Sequence, residues 1–140
     1  MPSKREQILQ AFGTILAATP GIGGRVYRSQ ADGLTRDLTP CITYEWSSED
    51  AMSEGTVLAE RMLPVSVSVI VRGDTPDALA DPIITAAHAL LMADPSLGGL
   101  ALDVTLSAAS FEFEGADKTA GRLTHEYAVM FRHSHSDLTI

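Results

Sequence analysis

The sequence predicts an α+β fold: a mostly antiparallel sheet with two helices packed on one face, in the order α-β-β-β-α-β-β. Three observations predict it. Apolar residues recur at helical spacing in two segments only, one near the N-terminus and one after Pro76. Elsewhere apolar and polar residues alternate, which is the period of a strand with one face wet. The strands come in runs, and two helices suffice to cover one face of an antiparallel sheet.

The first helix follows from Ile8, Leu9, Phe12, Ile15 and Leu16, which share one helical face. Ser3 is placed to cap it, with Glu6 three residues later to complete a capping box. Pro20 and Gly21 follow, so the helix is expected to end near Thr19. After the turn Gly21-Ile22-Gly23-Gly24, Arg25 to Ser29 predicts a short strand. The polar segment 30–39 carries the turn dipeptide Asp32-Gly33. Cys41 to Trp46 alternates, with Ile42, Tyr44 and Trp46 on one face. Ser47 to Gly55 is acidic and small, expected as a mobile loop or hairpin arm. A long strand follows, with Val65, Val67, Val69 and Val71 facing away from Ser66, Ser68 and Arg72.

Thr75 and Pro76 predict the start of the second helix, Thr75 as cap and Pro76 in the first turn. Leu79, Ile83, Ala87, Leu90 and Leu91 are its expected apolar stripe. Pro82 lies inside it and predicts a kink or a restart capped by Asp81. The last third is β. Leu102, Val104 and Leu106 alternate, a bulge is expected within 108–110, and Phe111 and Phe113 continue the strand. Across a polar turn at 115–121, Leu123, His125, Tyr127, Val129 and Phe131 form the returning strand. Residues 1–133 make one domain and 134–140 a flexible tail. The second sheet face, with Ser66, Ser68, Thr105, Thr124 and Glu126, is polar enough to meet water or a polar partner.

Length and composition narrow the function classes. A chain of 140 residues builds one core unaided. No apolar run is long enough for a membrane span, and no signal peptide is expected, so a cytosolic chain fits best. The net charge of −8 argues against a nucleic-acid binder, because neutralising phosphates takes a basic face. It argues equally against an anionic membrane surface, but it permits an acidic wall that DNA slides past. The single cysteine, Cys41, is expected as a semi-buried thiol with no disulfide or zinc role.

Candidate chemistry is sparse. The glycines at 21–24 follow a helix and precede a strand, the reverse of a phosphate loop. His133 and His135 have the spacing of two ligands but lie beside the tail, where solvated residues are the plainer reading. His88 and His125 are expected as packing residues. Glu112 and Glu114 alternate with Phe111 and Phe113, a solvated strand face and not a catalytic pair. No nucleophile elbow or zinc-protease helix is present, and no metal or cofactor is expected.

The order of landmarks resembles the tail terminator and minor tail proteins of long-tailed, lambda-like phages and prophages. The resemblance covers nearly the whole chain. It runs from Arg5-Glu6-Gln7-Ile8-Leu9 through Arg25 to Ser29 and Thr39 to Tyr44. It continues through Arg61 to Val67 and Asp77 to Ile83, and ends on the hairpin of Phe111 to Glu114 with Glu126 to Val129. It implies a structural protein with no catalysis and no catalytic residues. It implies a ring, hexameric on the tail, that stops growth of the tail tube at its head-proximal end and joins tail to head. Implied partners are other copies of the chain, the tail tube protein, the neck or connector and the tape measure protein, with DNA only as passing cargo and no membrane. The implied location is the host cytoplasm during assembly and then the virion tail. Another connector or a tube subunit is the nearest alternative. A small-ligand domain, with a pocket lined by Tyr44, Trp46, His125 and Tyr127, is the more distant one.

A closing ring needs two different patches on each subunit. The basic candidates are Arg25, Arg28 and Arg36, and the facing arm carries Glu49, Asp50, Glu54, Glu60 and Arg61. Whether the arm, residues 48–60, is ordered before assembly stays open at this point.

Overall fold

The computed structural model describes residues 1–29, 39–114 and 119–140. In chain order the elements are α1 (Lys4–Leu16), β1 (Val26–Arg28), β2 (Cys41–Trp46), β3 (Asp50–Glu54), β4 (Leu58–Arg72), α2 (Pro76–Met92), β5 (Asp103–Phe113) and β6 (Ala120–Ser134). The α+β architecture holds, with one strand more than expected. The acidic segment after Trp46 forms β3, the hairpin arm of the two options, and pairs with β4. The turn at Asp32-Gly33 and the first part of the turn at 115–121 fall outside the described residues.

The sheet has six strands in the order β1-β2-β4-β6-β5, with β3 beside β4. β1 runs parallel to β2; every other pairing is antiparallel. β4 and β6 are the spine, paired without interruption from Leu58↔Ser134 to Arg72↔Ala120. β2 and β3 lie one after the other along the opposite side of β4. The bulge in β5 falls between Leu106 and Ala108, slightly before the expected place.

Both helices cover one face. Ile8, Leu9, Phe12 and Leu16 of α1 join Ile42, Val65, Val67, Val69, Tyr127, Val129 and Phe131 in a single buried cluster. Gly13 lets α1 come close to β2, because a Cβ there would sit 2.5 Å from the Tyr44 hydroxyl. Gly121 does the same under α2, where a Cβ would lie 2.7 Å from the Phe111 ring and 2.8 Å from Pro76 Cβ.

Several expectations are corrected at the helix ends. α1 stops at Leu16, and only half of the capping box forms. Ser3 Oγ accepts from Glu6 N at 3.2 Å, while the Glu6 carboxylate turns away to Arg28. Thr75 makes no side-chain cap bond. α2 passes through Pro82 without a break, and Pro82 faces solvent. The buried stripe of α2 is Pro76, Ala80, Ile84, Ala87 and Leu91; Leu79 is 46% exposed.

Residues 135–140 turn back toward α1. Lys4 N donates to Leu138 O at 2.7 Å, and the Gln7 amide donates to Thr139 O at 3.2 Å. His133 is no solvated tail residue: it is 5% exposed within β6. Its Nδ1 donates to Ser134 O, and its Nε2 accepts from Arg61 Nε at 3.2 Å. His135 contacts the Gly55 carbonyl. Both histidines therefore tie the C-terminus to the arm.

Candidate functional site

Cross-strand partners share a face, so the register arranges side chains in rows across the sheet. Two neighbouring rows on the face away from the helices are polar. One is Thr43, Ser68, Thr124 and Ser110; its neighbour is Glu45, Ser66, Glu126 and Ala108. Alternation alone places them there, because every second residue of β2, β4, β5 and β6 must point away from the helices.

These rows line a shallow depression of about 440 Å³ bounded by Glu45, Ser66, Ser68, Ser110, Glu112, Arg122 and Thr124. Ser68 Oγ and Thr124 Oγ1 share a hydrogen bond of 2.8 Å. Arg122 donates to both Glu114 oxygens, at 3.0 and 3.4 Å, and to Thr43 Oγ1 at 3.3 Å. Glu45, Glu112 and Glu126 are exposed and make no ion pair among the described residues. The depression is thus hydroxylated and acidic, with Arg122 held in place by Glu114. Arg122 was not singled out in the sequence; its place in the period-two pattern two residues before Thr124 was the available signal.

The interface candidates are mostly engaged inside the subunit. Arg28 makes a bidentate pair with Glu6, both contacts at 2.7 Å, and its hydrogen bonds hold the Glu6 carboxyl below the usual range. Arg5 bonds Glu49 at 3.1 Å and lies over the Trp46 ring at 4.5 Å. Glu60 pairs with Arg132 at 3.0 Å. Arg61 meets His133, and Arg25 Nε donates to Pro40 O at 2.9 Å. Asp50 is exposed at the start of β3, and Glu54 ends that strand. Arg36 lies outside the described residues. Arg28 and Glu49 therefore both lean on α1, one through Glu6 and the other through Arg5.

The remaining reactive groups are internal. Cys41 is buried, and burial pushes its thiol up to about 11, so it stays protonated near neutrality and is a poor nucleophile. Tyr44 and Tyr127 are core residues, 6% and 0% exposed. The Tyr127 hydroxyl, pushed up to about 12 by burial, lies 2.9 Å from His88 Nδ1 and 3.3 Å from His125 Nδ1. It can donate to one ring and accept from the other.

Burial holds His125 below its ordinary value, helped by His88 and opposed by Asp81. A base depressed in the folded state takes up its proton first in the unfolded chain. Stability is then complete above the ordinary histidine value and falls as pH drops through it. The urea midpoint is expected to fall between about pH 7.5 and about pH 5.5, and His125→Gln is expected to flatten that dependence. An unchanged slope in the variant would remove His125 as the cause.

No family model matches the chain, and no curated protein matches it. Among solved structures, it is similar to a chain from the virion of a native gene transfer agent (GTA) particle. The identity is 12% and the TM-score 0.43, over 94% of this chain and 92% of that one. At that identity no residue role is transferred.

Proposed function

We propose that this protein is a structural virion component that closes into a ring on the head-proximal end of a phage tail tube, stops tube growth and joins tail to head. The observation that carries the reading is the sheet face away from the two helices, with its hydroxylated and acidic depression. Facing inward in a ring, it makes a wall that repels phosphates and lets DNA pass without sticking. The landmark order shared with tail terminators supports the same role. Partners under this reading are other copies, the tube protein, the neck or connector and the tape measure protein. It assigns no catalysis, and places assembly in the host cytoplasm and the finished ring in the tail.

The test is the mass of the purified protein by light scattering across concentration and salt, with negative-stain images of the largest species. Closed rings of one size are the expected result. Long tubes would make the chain a tube subunit instead. A monomer that also fails to bind tube ends would end the reading.

A further inference from the structure

We infer that subunits join edge to edge, β5 of one copy pairing antiparallel with β1 of the next, so that Glu112 meets Arg25 and Phe111 lies beside Val26. β1 and β5 are the two ends of the strand order, so each copy offers two different edges, as a head-to-tail contact requires. β5 runs for 11 residues and contains no lysine, arginine or proline, the usual guards of an exposed edge; a bulge at Ser107 interrupts it. α2 sits over β4 and β6, leaving the helix-side residues Leu106 and Phe113 of β5 41% and 52% exposed.

Strand direction selects the pairing. β1 and β2 run one way, β4 the other, β6 back again, and β5 against β6. Rotation about an axis along the strands preserves direction, so β5 meets the next β1 antiparallel, the more stable arrangement. Such a rotation adds no shift along the axis, and the rows of the sheet then set which residues meet. Val26 is level with Ile42, Val69, Leu123 and Phe111. Tyr27 is level with Thr43, Ser68, Thr124 and Ser110. One step along, Arg25 falls level with Cys41, Ile70, Arg122 and Glu112. Two half-buried apolar residues therefore meet on the helix side, and an arginine meets an exposed glutamate on the open side.

The inference rests on the ring reading for a pure rotation about an axis along the strands. Its test is the double variant Tyr27→Cys/Ser110→Cys under mild oxidation. Within one subunit these positions are four strand spacings apart, about 19 Å, so an internal disulfide is excluded. Between copies they become cross-strand neighbours at about 5 Å, within bonding range. A ladder of covalent multimers up to the closed ring is expected, with each single variant staying monomeric on a non-reducing gel. Arg25→Cys/Glu112→Cys, one row along and made in a Cys41→Ser background because Cys41 lies level with Arg25 on the next strand, serves if Tyr27→Cys does not fold. Rings without a ladder would overturn the inference and leave the ring reading standing. A ladder within long tubes or filaments would do the reverse. Strong dimers from Ser110→Cys alone would overturn it in favour of a two-fold β5 contact, and a chain monomeric at every concentration would overturn it as well.

Discussion

Phe12→Ala is expected to lower the unfolding free energy by about 3–5 kcal/mol, the usual cost of deleting a buried aromatic side chain. With a urea slope of about 2 kcal/mol per molar, the midpoint falls by roughly 2 M. Phe12 is fully buried and meets the Tyr127 ring edge-on, with centroids 6.3 Å apart. It links α1 to β6. α1 is a 13-residue helix, marginal alone, so its packed face rather than its propensity keeps it formed. Its loosening would also release Glu6 from Arg28 and Arg5 from Glu49, the contacts that brace β1 and the arm. Under the proposed ring reading, the variant is therefore expected to fail to assemble as well as to lose stability. A shift below about 1 kcal/mol would mean that the helix does not rely on this contact.

Most of the sheet was legible because alternation is a strong signal wherever one face is buried. Val65 to Val71 and Leu123 to Phe131 carry it without ambiguity, and both strands lie where it puts them. β3 was less legible. Asp50-Ala51-Met52-Ser53-Glu54 has no apolar alternation, because its described side chains are exposed and it holds its place by pairing with β4. α2 shows the limit of periodicity in another way. Leu79 and Ala80 are both apolar neighbours on the helix, and the sequence cannot say which of two adjacent stripes the sheet will take. The sheet took the stripe with the smaller residues. His133 was misjudged because two residues from a polar tail is a poor guide to burial when that tail folds back over α1. The open face was visible as a polar set of strand residues. The charge pairs were not, since Arg28 with Glu6 and Arg5 with Glu49 join residues distant in the chain.

Reversing two charges on the open face should turn a non-binder of DNA into a binder. Glu45 and Glu126 lie in one row, both exposed, with Ser66 between them. Glu45→Lys/Glu126→Lys changes the net charge from −8 to −4 per chain, the difference of two reversals. Neither residue packs in the core, so stability is expected to change by less than about 0.5 kcal/mol for each. A closed ring would present the new lysines repeatedly on one wall, and multivalency raises the effect well beyond that of a single subunit. The wild type is expected to leave a short DNA duplex unshifted in a mobility assay. The double variant should retain it at about 50 mM salt and release it by about 200 mM, because the attraction comes from counterion release. The same reversals at Asp74 and Asp77, exposed at the start of α2 on the helix side, are the control. If the face lines a passage, binding in rings should depend on DNA entering it, so the helix-side control should bind even when the opening is blocked and the open-face variant should not. Wild-type protein that already binds duplex DNA at about 0.1 M salt would sink the repelling-wall account, which relies on the exposed Glu45 and Glu126 carboxylates to repel phosphates.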